Sequence, residues 1–387
     1  MISLLILIYA TFISLGLQDS LLGSAWPAMY ADLGVPIGSM GIITMTASGS
    51  VVVSALLSNR IIKRFGTVSV VIASVCMTSF ALMGFSLSTH FIMICAFAIL
   101  LGMGGGLIDA SLNNFVAVHY QAKYMNWLHC FWGVGALSGP IIMSYSLIWF
   151  TWNVGYRMVS IAQLLLIVSL IFSIPFWKKM QNNTGKNKED DQEIVPIAEL
   201  IKLPGAKQAC ITFFLYCSVE MTVGLWGSSY LVTVRGMPAE VAARFVALYF
   251  FGITLGRVIS GFVVSTLTNK NMIQLGQLTM VFGIVILILP VEGNFLMASF
   301  FLIGLGCAPI FPSLIHETPV NFGSKHSQGM IGLQMAFAYT GNTFGPPLFG
   351  FLGARVGFGL LPLYAGVILL FMVFVVVSMY SKTRKMV

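Results

Sequence analysis

Charged residues are so scarce in this sequence that a water-soluble fold of its length is excluded. Of the 387 residues, 8% are Asp, Glu, Lys or Arg, whereas 58% are hydrophobic. A soluble domain carries about 25% charged residues. The composition therefore excludes a soluble enzyme, a secreted domain, a disordered chain and a nucleic-acid-binding protein. It predicts a protein that crosses a membrane many times.

Apolar runs separated by turn residues or charges follow one another along the chain. A spanning helix needs about 20 apolar residues. We predict two sets of six spanning helices, at 2–30, 39–58, 67–88, 91–121, 124–148 and 155–177, and at 207–234, 240–266, 271–290, 294–318, 325–350 and 356–380. The long polar stretch between the sets predicts an N-terminal six-helix bundle (1–177), a cytoplasmic linker (178–206) and a C-terminal six-helix bundle (207–387).

Lys and Arg are distributed unevenly over the predicted loops. With the N-terminus in the cytoplasm, fifteen of the twenty basic residues fall on the cytoplasmic side and four on the outside. Arg257 falls inside a span. Because cytoplasmic loops of membrane proteins are enriched in Lys and Arg, we expect both termini in the cytoplasm and a multi-pass protein of the cell membrane.

The two halves repeat one another. LLGMGGGLIDASL (100–112) aligns with LIGLGCAPIFPSL (302–314), FWGVGALSGP (131–140) aligns with FAYTGNTFGP (337–346), and Asp19 falls on Glu220. The offsets of 202, 206 and 201 are nearly constant. Two parallel six-helix repeats are typical of transporters that bind their substrate near the membrane midplane between the halves.

Three acidic residues lie well inside predicted spans: Asp19, Asp109 and Glu220. An acidic side chain in lipid costs several kcal/mol unless it faces a cavity or a partner. Arg257 can neutralise at most one of the three, and Glu220 is the candidate. The others must be protonated, lie in water or bind a cation. We therefore predict that these acids couple transport to a proton or another ion, structural ion pairing being the alternative.

Polar side chains also recur on single helix faces. Asn113 lies one turn after Asp109, and Asn126 and His129 share a face of the fifth span. Amides and carboxylates supply the donors and acceptors that sugar hydroxyls require, although such groups also join helices to one another. Trp132 and Tyr249 are weaker candidates. The predicted substrate-binding residues are Gln18, Asn113, Asn126, His129, Trp226, Tyr230, Gln334 and Asn342.

Signatures of catalysis and of cofactor binding are missing from the sequence. It contains no phosphate-binding loop, no nucleophile elbow and no metalloprotease motif. His316 and Glu317 stand side by side, but no ligand set accompanies them. We therefore expect no enzyme activity, no cofactor and no metal, and an ion gradient as the source of energy.

Several motifs resemble those of the major facilitator superfamily. They are GLIDASLNNF (106–115), NWLHCFWGVGALSGP (126–140), SVEMTVGLWGSSYL (218–231), YFFGITLGRVISGF (249–262) and RIIKRFGT (60–67). Within that family the sequence is similar to the fucose permease branch of sugar:proton symporters. The resemblance implies a monomeric rocker-switch helix bundle with a central cavity, in which Asp19 and Asp109 take part in proton coupling and sugar binding. The gating or structural residues that follow from it and from the charge pattern are Arg60, Arg64, Arg257 and Glu317.

The sequence departs from that branch at two points. Asp109 stands where fucose permease has Glu, which is one methylene longer. Separately, some relatives of this branch use sodium instead of a proton as the coupling ion. Asn59 stands where the superfamily loop motif has Asp before Arg60. Asp109 leaves the solute open, and the sodium-using relatives leave the coupling ion open. Asn59 implies that the gating ion pair of this loop is weaker or is formed with another residue.

The leading hypothesis is import of a monosaccharide, glycoside or similar polar solute by symport with a proton or sodium. The partners are then this solute, the ion and membrane lipid, without nucleic acid. The alternative is a proton-driven exporter of drugs or other solutes, since GALSGP (135–140) resembles part of the antiporter motif. Against the exporter, Met143 and Ser144 stand where that motif has two glycines.

Overall fold

The computed structural model describes residues 2–120, 122–177, 196–263, 267–290 and 293–383. Within these ranges the chain is helical and contains no β-strand. The side chain of Asn126, one of the predicted substrate-binding residues, lies outside the described residues, as do residues 178–195 of the predicted linker.

Six long helices form the first half of the chain. Tight turns join several of them, and Gly66, between the second and third, adopts the positive φ of 80° that favours glycine. Their bounds are α1 (Ile2–Asp32), α2 (Met40–Phe65), α3 (Thr67–Leu87), α4 (Phe91–His119), α5 (Ala122–Trp149) and α6 (Trp152–Phe172).

In the described residues of the second half, one helical turn, Ile197–Leu200, precedes seven longer α-helices. They are α7 (Ala206–Arg235), α8 (Ala239–Val263), α9 (Asn269–Ile288), α10 (Gly293–Cys307), α11 (Ile310–Phe322), α12 (Ser324–Val356) and α13 (Leu361–Thr383). α10 and α11 together form one apolar stretch, Gly293–Phe322. The break between them falls at Pro309, which lacks the N–H that a continuous helix requires.

In the described part of the chain, eleven apolar helical stretches are long enough to cross a membrane. α12 has 33 residues, which is also enough, but polar residues and glycines interrupt its apolar sequence. The structure therefore confirms an all-α membrane protein with the predicted spans. Within the tenth span, Gly293–Phe322, the structure adds one detail, because two helices and not one form it.

Close packing of glycines occurs at corresponding positions in the two halves. A methyl group at Gly102 would collide with the carbonyl of Ala47, and one at Gly304 would collide with the carbonyl of Tyr249. Both members of the second pair are 202 residues beyond those of the first, the offset found by aligning the sequences. The repeat in the sequence is thus a repeat in helix packing.

The same correspondence holds for α1 with α5 and for α7 with α12. Gly135 packs against the carbonyl of Ile13, and Gly341 packs against the carbonyl of Phe214. One turn further on, Gly139 lies against Leu17, and Gly345 lies against Ser218. Small residues that allow two backbones to approach are a common means of joining membrane helices. The two GxxxGP stretches therefore act in helix packing.

The chain forms two compact units. The first contains residues 1–188 together with 231–247, and the second contains 189–230 together with 248–387. The end of α7 and the start of α8 thus belong to the first unit. There, Ser144 Oγ donates to the backbone carbonyl of Glu240 at 2.7 Å, and Arg244 Nε donates to Ser144 Oγ at 3.1 Å.

Candidate functional site

The packing of α4 determines where its polar residues lie. Ile108, Leu112 and Phe115 repeat at helical spacing and are buried in the core of the first unit. Asp109 and Asn113 lie on an adjoining face and are partly accessible. Asn113 Nδ2 donates to Asp109 Oδ1 at 2.8 Å. The two residues therefore form one polar group on α4, as their i, i+4 spacing predicts.

A second carboxylate lies near this group. Asp19 is in the middle of the apolar stretch Leu4–Asp32, yet its side chain is exposed. Trp132 Nε1, on α5, donates to Asp19 Oδ2 at 3.0 Å. Asp109 is close enough for electrostatic repulsion between the two carboxylates. The first unit thus brings together two of the three acids that are predicted to couple transport to an ion.

α5 contributes two side chains on one face next to α1. His129 is exposed and makes an edge contact with Phe12, with ring centroids 5.8 Å apart. Trp132 follows it by three residues, and it was only a weak candidate from the sequence. Its spacing from His129 was the available signal, but the hydrogen bond to Asp19 depends on how α1 and α5 pack.

Gln18 precedes Asp19 but is directed toward other helices. It is buried, and its Oε1 accepts a hydrogen bond of 3.4 Å from Gln163 Nε2 on α6. Gln163 also donates to Ser14 at 2.8 Å and accepts from Thr78 on α3 at 3.1 Å. In this structure Gln18 therefore belongs to a polar network that joins α1, α3 and α6.

In the second unit, Glu220 forms an ion pair. Arg257 Nη2 lies 3.5 Å from Glu220 Oε1, and both side chains are largely buried. The hydroxyl of Tyr249 donates to the backbone carbonyl of Glu220 at 2.8 Å. Glu220 lies on α7 and Arg257 lies on the next helix, α8. Their ion pair agrees with the sequence analysis, which named Glu220 as the acid that Arg257 neutralises.

Three of the predicted substrate-binding residues are buried in the second unit. Trp226 Nε1 donates to the carbonyl of Pro346 at 2.8 Å, Tyr230 donates to the carbonyl of Leu287 at 3.3 Å, and Gln334 accepts from Thr318 Oγ1 at 2.9 Å. In this structure each of them joins its helix to another helix. Whether a residue packs or binds a solute depends on which face of its helix meets a neighbour, which the sequence alone does not specify.

Asn342 differs from these three. It lies on α12 and is partly buried, and its Oδ1 has no hydrogen-bond partner among the described atoms. A buried carbonyl without a donor costs about 1–3 kcal/mol. This oxygen is itself buried, so a solute hydroxyl could reach it only after the neighbouring helices move.

The predicted gating residues occupy different surroundings. Glu317 on α11 accepts a hydrogen bond from the hydroxyl of Tyr380 on α13, and Asn321 Nδ2 lies 3.5 Å from the same oxygen. Lys270 Nζ lies 5.4 Å from the centre of the Tyr380 ring. Arg60 and Arg64, at the end of α2, are exposed.

The described residues contain no group of three or more His, Cys, Asp and Glu side chains that could hold a metal ion. Around Asp19 and Asp109, the side chains present can bind a ligand through hydrogen bonds and through charge. The two carboxylates and the imidazole of His129 can accept and release a proton or bind a small cation, and together with the Asn113 amide they can bind hydroxyl groups.

A family model described as Major Facilitator Superfamily matches residues 8–292 and 209–385. The chain belongs to the major facilitator superfamily. The resemblance seen in the sequence motifs is thus confirmed at this level. The family and the fold are those of membrane transporters, which are generally not enzymes.

Curated members of the superfamily are similar over most of the chain. "Bypass of stop codon protein 6" of Saccharomyces cerevisiae is 24% identical, with 91% of this chain and 77% of that protein covered. A hexuronate transporter of Bacillus subtilis is 23% identical, with 88% and 85% covered. The glucose/mannose transporter GlcP of Bacillus subtilis is 22% identical, with 79% and 77% covered.

Solved structures of other proteins share the fold. The nucleoside transporter NupG superposes with a TM-score of 0.77 at 13% identity, covering 98% of this chain and 100% of that one. A bacterial homologue of the human lysosomal transporter Spinster superposes with a TM-score of 0.75 at 10% identity, covering 98% and 96%. At such identities the likeness concerns the fold alone.

Proposed function

We propose that this protein imports a sugar or a sugar-like polar solute into the cell by symport, with a proton as the coupling ion and sodium as the alternative. Alternating access of a monomer in the cell membrane, with both termini in the cytoplasm, moves the solute. The resemblance to the fucose permease branch supports this proposal, and so do the names of the hexuronate and glucose/mannose transporters among the relatives.

The observation that carries the proposal is the pair of carboxylates in the first unit. Asp19 is exposed in the middle of a span, and its carboxylate accepts a hydrogen bond from the neutral indole N–H of Trp132. Asp19 also lies near Asp109. Two neighbouring carboxylates repel each other when both are charged. Binding a proton or a small cation removes this repulsion, so the pair is suited to take up one ion and release it again.

Solute binding follows from the groups around the pair. Asn113 offers both a donor and an acceptor, His129 is accessible, and the exposed oxygens of Asp19 accept hydrogen bonds. Once one ion has bound and removed the repulsion within the pair, the carboxyl groups and the Asn113 amide together bind hydroxyls. Loss of the ion in the cytoplasm restores the repulsion and weakens the bound state.

The second unit supplies a different kind of acid. Glu220 is already paired with Arg257, so it has less need of an external cation. We therefore assign ion coupling to Asp19 and Asp109 first and retain Glu220 as a secondary candidate. Asn342 is retained as a proposed solute contact of this unit, which requires a conformation in which its buried Oδ1 becomes accessible. The bundles 1–177 and 207–387, joined by the linker 178–206, are the proposed moving bodies.

Four other predicted contacts have structural partners in this conformation. They stay predictions as solute ligands, and we expect their substitution to affect folding before affinity. They are Gln18, Trp226, Tyr230 and Gln334.

Uptake by purified protein in liposomes tests the proposal. The radiolabelled solutes are D-glucose and D-glucuronate, each offered with a proton gradient, with a sodium gradient and with neither, and empty liposomes are the control. Accumulation that requires the proton gradient supports proton symport, and accumulation that requires sodium changes the coupling ion. If neither solute accumulates under any gradient, the proposed sugar import is wrong, and efflux assays then test the exporter alternative.

A further inference from the structure

The indole of Trp132 is in direct contact with the proposed ion-coupling acid. Its Nε1 donates to Asp19 Oδ2 at 3.0 Å, and an indole has this one donor and no acceptor. Trp132 is half-buried and Asp19 is exposed, so part of the ring surface and the carboxylate are accessible at the same place. A planar apolar ring of this kind offers a surface to the C–H face of a sugar.

Backbone packing fixes the position of this pair. A methyl group at Gly16 would collide with the backbone carbonyl of Trp132 itself, and one at Gly135 would collide with the carbonyl of Ile13. Asp19 lies one turn after Gly16 on α1. The two glycines therefore bring the helices together at the level where the indole and the carboxylate meet.

The second repeat lacks an equivalent pair. With the offsets of the repeat, Asp19 corresponds to Glu220 and Trp132 corresponds to Ala338, which has no donor. Glu220 is paired instead with the guanidinium of Arg257 on α8. In the first repeat the acid therefore accepts a hydrogen bond from a neutral donor, whereas in the second repeat the acid forms an ion pair with a permanent cation.

We propose that Trp132 is a positioning residue that links the charge of Asp19 to solute binding. This rests on the proposed function of Asp19. A hydrogen bond to a charged carboxylate is roughly twice as strong as one to a neutral group. Charged Asp19 holds the indole in place, and neutralised Asp19 releases it toward a solute. The state of the coupling ion is thereby transmitted to a ring that a sugar stacks on.

Few other titratable or charged side chains are described around this pair. Asp109 faces it from α4, and His129 lies on α5 against Phe12 of α1. α6 contributes the neutral Gln163 to this part of α1. A pH response of the indole can therefore originate from Asp19, Asp109 or His129, and the test must separate these three.

Tryptophan fluorescence of the purified protein without solute tests the link directly. The emission of the wild type minus that of Trp132→Phe gives the contribution of Trp132. We expect this contribution to change across a mildly acidic to mildly alkaline titration. This pH-dependent change in emission should be lost in Asp19→Asn. It should persist in His129→Gln, and it should persist with a displaced midpoint in Asp109→Asn. Trp127→Phe is the matched control, since Trp127 is an exposed tryptophan of the same helix without a described hydrogen bond.

An unchanged emission of Trp132 throughout the titration, or the same change in Asp19→Asn, overturns the inference. Counterflow with the solute that the wild type takes up gives a second readout. Trp132→Phe should lose the pH dependence of half-saturation that the wild type shows, and Trp127→Phe should keep it. If the wild type transports neither D-glucose nor D-glucuronate, the proposed function fails, and the fluorescence titration still decides the role of Trp132.

Discussion

Arg257 Nη2 lies 3.5 Å from Glu220 Oε1, at the position of the second repeat that corresponds to Asp19 in the first. The repeats therefore share their helix packing but not their electrostatics. One half contains an acid with its own cation, and the other contains two neighbouring carboxylates. This difference is the basis for assigning ion coupling to the first half.

Removing one partner of the Glu220–Arg257 pair should destabilise the protein. In Arg257→Gln the carboxylate stays largely buried without its cation, and breaking a buried pair in this way costs about 3–5 kcal/mol. We expect a lower midpoint of thermal unfolding in detergent for Arg257→Gln and for Glu220→Gln. The double variant should recover most of the loss, because it leaves no unpaired charge.

A matched control for this experiment is the pair of His326 and Glu199. Its closest N–O distance is 4.0 Å and Glu199 is 58% exposed, so Glu199→Gln should leave the midpoint unchanged. Equal destabilisation in the double variant and in the single variants would contradict the account of the buried pair.

The glycine contacts between α1 and α5 should be sensitive to a single methyl group. Gly135→Ala places that methyl against the Ile13 carbonyl, and such overpacking costs about 1–3 kcal/mol. Gly49→Ala is the control, since a methyl at Gly49 meets no atom within 4 Å. It should be neutral or stabilise α2 by up to about 1 kcal/mol. Thermal unfolding of both variants in detergent measures the difference, and similar midpoints would show that α1 and α5 do not pack as described.

The hydrogen bond from Tyr380 to Glu317 should stabilise the contact of α13 with α11. Tyr380→Phe removes the donor from a carboxylate, and hydrogen bonds to charged groups contribute about 1.5–3 kcal/mol. We expect a lower unfolding midpoint for this variant. Tyr145→Phe, at a side chain that is 51% exposed, should have no effect. A Tyr380→Phe protein as stable as the wild type would remove Glu317 from the structural residues.

The fold follows from the sequence because long apolar runs have few alternatives to spanning helices. α12 was recognised by length and by its repeat of α5, even though its composition is more polar. The break at Pro309 was missed, since proline within a membrane helix causes either a bend or an interruption, depending on its neighbours.

The candidate site was predicted less completely than the fold. Asp109 and Asn113 share a helix face, which periodicity alone reveals. The contact of Asp19 with Trp132 joins residues 113 positions apart, so it depends on tertiary packing. For the same reason the sequence could not show that Trp226 donates to the Pro346 carbonyl in the interior of the second unit.

Accumulation and counterflow measured in parallel on Asp109→Asn test the central claim, that Asp19 and Asp109 couple solute movement to an ion. Liposomes contain the wild type or the variant, and the solute is the one that the wild type accumulates. Asparagine keeps the shape and the contact with Asn113 but cannot take up a proton. The account predicts loss of gradient-driven accumulation with counterflow preserved. Undiminished accumulation in Asp109→Asn would contradict it.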